Sequence, residues 1–102
     1  MDFKQLRSFV TIVDYRNFSR AAEKLNIAQS TISVHLAQLE DELGVKLANR
    51  TTKTIEITEI GLIVYKYATR ILELKDYIPL PTPKEKKKLR SKYDLIANIV
   101  SP

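Results

Sequence analysis

The chain has no cysteine and no tryptophan, one histidine, and only two glycines among 102 residues. Without cysteine there is no disulfide framework and no thiolate metal site. One histidine, with no second His or Cys ligand, builds no metal centre, and no metal or cofactor is expected. No apolar run approaches the roughly 18 residues that a membrane span needs. Asp2, Lys4, Arg7, Asp14 and Arg16 interrupt the apolar positions of residues 1–16, which argues against a signal peptide. No acid–base pair, nucleophile arrangement or glycine-rich phosphate loop stands out, so an enzyme is not expected. The expected product is a small cytoplasmic domain with a short appendage, with 44% hydrophobic residues to supply a thin core.

Basic residues are in excess, with a net charge of +5. The excess is unevenly placed. Residues 1–78 hold 11 Lys/Arg against 10 Asp/Glu, whereas residues 79–102 hold 6 against 2. The bulk charge of the first part therefore says little about a polyanionic partner, and any basic face there must be sorted by the fold.

The stretch Ser19–Leu43 organises the rest. It reads as two short helices with a break at Asn26-Ile27-Ala28. In the second, Ile32, Leu36, Leu39 and Leu43 recur at helical spacing and form a buried face. Ser30, Val34 and Ala37 lie opposite, with Ser33 and Gln38 on the flanks. A solvated helix face usually carries Lys and Glu. Short, neutral side chains suit a face that enters the major groove and meets base edges, so the pattern predicts a helix-turn-helix.

Around it, a first helix is expected from about Phe3 to Asp14, with Asp2 and Gln5 as a capping box and Leu6, Phe9, Val10 and Val13 as its apolar stripe. The second helix begins near Ser19 and ends at Asn26, which tolerates the left-handed conformation. The third spans about Gln29 to Leu43 and stops at Gly44. Val45-Lys46-Leu47 and Thr54-Ile55-Glu56-Ile57 alternate as strands do, with Asn49-Arg50-Thr51-Thr52-Lys53 as a basic tip between them, forming a wing. Thr58 caps a helix of about 20 residues, a rod of roughly 30 Å. Ile60, Val64, Tyr67, Ile71, Leu74 and Ile78 form a heptad seam along it, and Tyr65, Ala68 and Leu72 form a second stripe. One stripe packs on its own domain, and the other calls for a second chain. Pro79, Pro81 and Pro83 end the rod, and a basic amphipathic helix from about 84 to 99 follows. The expected fold class is mostly α: a winged helix-turn-helix (1–57), a linker and dimerisation helix (58–78), and a Pro-rich turn with a C-terminal helix (79–102).

Phe18-Ser19-Arg20-Ala21-Ala22-Glu23-Lys24-Leu25, Ala28-Gln29-Ser30-Thr31-Ile32-Ser33, Leu39-Glu40-Asp41-Glu42-Leu43-Gly44-Val45, Asn49-Arg50-Thr51 and Ile57-Thr58-Glu59-Ile60-Gly61 occur in this order. Together they resemble the N-terminal domain of LysR-type transcriptional regulators over residues 1 to about 78. The resemblance implies a winged helix-turn-helix, dimerisation through the linker helix, and binding to an interrupted palindrome in double-stranded promoter DNA. It puts Gln29, Ser30, Ser33 and Val34 at the base-contacting end of the third helix, and Thr31 beside them is expected to join the base contacts. Arg20, His35, Gln38, Arg50, Thr51 and Lys53 are the expected backbone and wing contacts. Val34 stands where such regulators often have Arg, which removes a bidentate guanine contact but leaves packing on a thymine methyl. Ala48 stands where they usually have a core Phe, so the wing should be less firmly seated.

These regulators normally continue into a much larger effector-sensing domain, and residues 79–102 are too short for one. No small-molecule inducer and no membrane partner are therefore expected. The basic run Lys84–Lys92 reads either as a solvated face or as an electrostatic grip on DNA. Leu89, Tyr93, Ile96 and Val100 offer a third possibility, a helix folded back on the dimer. Two functions compete. One is a homodimeric, sequence-specific DNA-binding regulator. The other is an interaction module that forms mixed dimers with full-length relatives and modulates them.

Overall fold

The computed structural model describes residues 1–51 and 54–77. In order these form α1 (Phe3–Tyr15), α2 (Phe18–Leu25), α3 (Gln29–Leu43), β1 (Ala48–Arg50), β2 (Ile55–Ile57) and α4 (Glu59–Tyr77). The fold is mostly α with a two-stranded antiparallel wing. Lys53, Ile78 and the expected C-terminal helix lie outside the described residues.

Local chemistry sets the helix ends. The Asp2 carboxylate accepts from the Gln5 amide at 2.8 Å, and the Gln5 side chain accepts from the Asp2 amide, completing the capping box. α1 ends at Arg16, whose φ of 49° is left-handed. That conformation costs an L-residue about 1–2 kcal/mol. Arg16 Nε offsets part of the cost by donating to the free Val13 carbonyl at 2.9 Å. Asn17, not Ser19, opens α2: its side chain accepts from the Arg20 amide at 2.9 Å. Asn26 and Gly44 close α2 and α3 in the left-handed region, while Ala28 caps α3 with no side-chain bond.

α1 is the central element and packs against α2, α3 and α4. The core joins Leu6, Phe9 and Ile12 of α1 to Phe18 and Ala21 of α2 and to Ile32 and Leu39 of α3. Ala22 is buried as well, so the paired alanines give the close helix approach that a three-helix unit requires. Ser8 is buried, and its Oγ lies 2.6 Å from His35 Nδ1, pinning α1 to α3.

The first strand lies three residues later than the alternation of Val45-Lys46-Leu47 suggests. Backbone amides decide this. The Val45 amide donates back to the Glu40 carbonyl at the helix end, 3.2 Å away. The Glu40 carboxylate then accepts from the Leu47 amide at 2.8 Å and the Ala48 amide at 3.4 Å. With the Val45 and Leu47 amides taken in this way, pairing starts at Ala48↔Ile57 and runs through Asn49↔Glu56 to Arg50↔Ile55. Asn49 and Arg50 thus sit on a strand, not at the tip. Thr51 and Thr54 close the hairpin, with the Thr51 amide donating to the Thr54 carbonyl at 3.0 Å. Ala48 is buried, and Ile55 and Ile57 pack against the core from β2.

α4 is 19 residues long, about 28 Å at 1.5 Å per residue. Its Ala68 and Leu72 are buried, and Tyr65 packs beside them, so this stripe belongs to the domain's own core. Val64 also packs partly inward. Ile60, Tyr67, Ile71 and Leu74 of the heptad seam are exposed, together with Leu62 and Ile63. The exposed apolar line is therefore Ile60, Ile63, Tyr67, Ile71 and Leu74, with Ile63 taking the place expected of Val64.

The Tyr65 hydroxyl donates to the Asp14 carboxylate and ties α4 to the end of α1. That hydrogen bond first, then burial and the negative charge of Asp14, raise the Tyr65 pKa above the ordinary tyrosine value. A raised pKa means that the contribution is fully present below the unfolded-state value and is lost as pH rises through the folded-state value. Tyr65→Phe is therefore expected to lower stability by about 0.5–1.5 kcal/mol at neutral pH. Melting curves taken at increasing alkaline pH should show the gap between the two proteins closing.

Candidate nucleic-acid interface

The surface of α3 is divided by the packing of its neighbours. Ile32, Leu36 and Leu39 are buried. Ser30, Val34, Ala37 and Gln38 are exposed, with Val34 at 51%. An exposed valine between a serine and an alanine leaves a smooth, uncharged ridge. Gln29 opens this ridge at the first position of α3, and Ser33 is half-buried. Of the expected base-contacting residues, Gln29, Ser30, Ser33 and Val34 come together here. Thr31 is half-buried and turns toward α1, sharing a pocket with Leu25, Ile27 and His35.

His35 and Gln38 are engaged with α1. His35 Nδ1 is taken by Ser8, and Gln38 Oε1 accepts from Gln5 Nε2 at 3.2 Å. Both side chains seat the helix in its bed. The acidic run at the far end of α3 is partly neutralised by its own fold. Glu40 is spent on the Leu47 and Ala48 amides, and the Glu42 carboxylate meets the α-amino group of Met1.

Beside the ridge lies an open hollow of about 220 Å³, lined by Arg16, Asn17, Phe18, Ser19, Gln29, Arg50, Thr51, Thr54 and Ile55. The start of α2, the start of α3 and the wing meet there. Among the described residues no carboxylate lines it, whereas two guanidinium-bearing residues do. Arg50 is held over the Phe18 ring, its guanidinium carbon 4.4 Å from the ring centroid. Stacking on a buried ring fixes the root of the wing's cation and leaves its N–H donors for an anion. Asn17 caps the Arg20 amide, so the free amides at the start of α2 add a partial positive charge to the hollow's edge. Arg20 is exposed on the same helix.

The sequence pointed to Arg50 as a tip charge. It did not show that Phe18, 32 residues earlier, would carry it. The roles of Glu40, Ser8 and Asp14 were also missed, since each acts through a partner on another element. Among the described residues no helix is long and apolar enough to cross a membrane.

Three helices, a wing on the edge of the third, and a neutral ridge flanked by a cationic hollow define a winged helix-turn-helix unit. Residues 3–62 match the bacterial regulatory helix-turn-helix protein, LysR family, and the chain belongs to that family. The HTH-type transcriptional regulator CitR of Bacillus subtilis is 44% identical over 73 residues, covering 72% of this chain and 25% of CitR. BenM of Acinetobacter baylyi is 38% identical over 76 residues, covering 74% of this chain and 25% of BenM. The chain thus spans about a quarter of the length of these relatives. Among solved structures, the BenM DNA-binding domain in complex with catB site DNA superimposes with a TM-score of 0.72 at 33% identity. That match covers 95% of this chain and 96% of that one. The DNA complex of the CbnR DNA-binding domain gives a TM-score of 0.73 at 31% identity, covering 91% and 99%.

Proposed function

We propose that this chain is a sequence-specific, DNA-binding transcriptional regulator that works as a homodimer on palindromic promoter sites. The observation that carries the reading is the uncharged ridge of α3 standing beside a hollow that, among the described residues, holds two arginines and no carboxylate. A duplex presents base edges in its major groove and phosphates on both rims, and this surface has the matching order. Gln29, Ser30, Ser33 and Val34 meet bases, with Thr31 at their flank. Arg20, Arg50, Thr51 and Lys53 meet phosphates. His35 and Gln38, which also tie α3 to α1, contribute to the backbone contacts. The solved DNA complexes of BenM and CbnR domains of the same fold support the assignment.

The exposed apolar line on α4 supports dimerisation through residues 58–78, which puts two reading helices on one duplex face. Work on promoter DNA in a bacterial cell implies a cytoplasmic protein, and no catalytic role belongs to this reading. The same apolar line also favours a second reading, in which the chain pairs with longer relatives and modulates them.

Anisotropy titration against promoter fragments, with and without unrelated competitor DNA and at two salt concentrations, tests the first reading. Tight binding that survives competitor supports it. Weak binding that is fully competed and lost with salt overturns it. Arg50→Ala is expected to weaken all sequences similarly and to reduce the salt slope by about one. A change of sequence preference in that variant would instead place Arg50 on a base.

A further inference from the structure

We propose that Ser19 is a positioning residue that fixes the base preference of Gln29, restricting it to bases that offer a hydrogen-bond acceptor in the major groove. This rests on the DNA-reading assignment above. Ser19 Oγ donates to Gln29 Oε1 at 3.1 Å, across the junction between the starts of α2 and α3. Both side chains line the hollow that also holds Arg16 and Arg50.

A free glutamine amide is ambivalent. It pairs with adenine through both its oxygen and its nitrogen, or accepts from cytosine after a half turn. Here one of the oxygen's two lone pairs is engaged, and the Ser19 hydroxyl sets the direction of the other. The field of the two arginines favours the carbonyl end of the amide inside the hollow and disfavours its NH₂ end there. The Nε2 donors are then left for the duplex. Guanine offers O6 and N7 and thymine offers O4, so both suit a donor. Cytosine presents its own N4 donor, whereas adenine offers N7, with its N6 amine left to the second lone pair in the direction that Ser19 sets. The expected preference at the base that Gln29 meets is guanine, thymine or adenine over cytosine. Holding the side chain before docking also removes part of the rotamer freedom that binding would otherwise cost.

The test is selection from a randomised duplex library by the full chain, followed by sequencing, with Gln29→Ala, Ser19→Ala and Ser19→Thr run beside it. Gln29→Ala identifies the position that this residue reads, because preference disappears there. At that position the unchanged chain should favour guanine, thymine or adenine over cytosine by about tenfold, and Ser19→Ala should cut this to about twofold or less, with other positions untouched. Ser19→Thr keeps a hydroxyl and should restore the preference. Ser19 is exposed, so its loss should not unfold the domain. The proposal falls if Ser19→Ala keeps the preference, or if it weakens every sequence evenly, as loss of a phosphate contact would. It also falls if the unchanged chain favours cytosine there. Failure of the unchanged chain to select any sequence is a separate outcome, and it overturns the DNA-reading assignment together with this inference.

Discussion

Gly61→Ala is expected to destabilise the domain by about 3 kcal/mol or more, the top of the usual range for forcing volume into a packed site. A Cβ on Gly61 would stand 2.2 Å from the Leu47 carbonyl oxygen, 2.9 Å from Ile57 Cγ2 and 3.0 Å from Thr58 Oγ1. The first of these is backbone, and that backbone is already committed. The Leu47 carbonyl accepts from the Thr58 amide at 3.0 Å, and Thr58 Oγ1 donates to the Lys46 carbonyl at 2.7 Å while accepting from the Gly61 amide at 2.9 Å. The entrance to the wing, its exit and the first turn of α4 converge on this point. Relief of the clash would have to lift α4 off the sheet and break that knot.

A domain of this size loses roughly 4–8 °C of melting temperature per kcal/mol, so thermal unfolding followed by circular dichroism should show a drop of about 12–24 °C. Gly44 provides the contrast. Its φ is +68°, but a Cβ there meets nothing within 4 Å. Gly44→Ala pays only the left-handed backbone cost, about 1–2 kcal/mol. If the two variants melt together, the close approach at Gly61 is not what its lack of a side chain serves.

The contrast marks what could be read in advance. Gly44 is legible because a glycine just past the last apolar residue of a helical pattern is a local signal. The capping box at Asp2 and Gln5, the left-handed Asn26 and the lengths of α1, α3 and α4 are local in the same sense. Gly61 is not. Its requirement comes from the Leu47 carbonyl 14 residues away, and nothing in the spacing reveals it. The first strand failed for a related reason. Val45-Lys46-Leu47 has a strand's alternation, yet Glu40 of the preceding helix takes the Val45 and Leu47 amides. The interface divides in the same way. The neutral ridge of α3 follows from a period of 3.6 and could be drawn from sequence. The hollow beside it is built from the starts of two helices and the wing, and the engagement of His35 with Ser8 depends on how α1 lies across α3.

Tyr67→Glu combined with Leu74→Glu is expected to convert the protein to a monomer and to lower its affinity for a palindromic site by about 10²–10⁴-fold. The two side chains are the most exposed of the apolar line on α4, at 57% and 62%. Replacing them leaves the domain's own core intact, which uses Ala68 and Leu72 on another face of the helix. In a two-fold pair each substitution enters the interface twice, so four carboxylates would meet where apolar surface was buried. Each reading helix would still fit its half-site, but the second would no longer be delivered at the effective concentration that linkage provides. Residual binding should be weak and fall steeply with salt.

Leu72→Ala separates this from simple damage. It opens a cavity in the domain's own core and should cost about 2–5 kcal/mol of stability while the oligomeric mass stays unchanged. Sedimentation velocity gives the mass, and anisotropy on a palindrome and on an isolated half-site gives the affinities. The expected pattern is a loss confined to the palindrome for the double Glu variant. A variant that keeps dimer mass and full palindrome affinity would move the dimer contact away from α4, leaving its exposed apolar line for the pairing with longer relatives that the second reading describes.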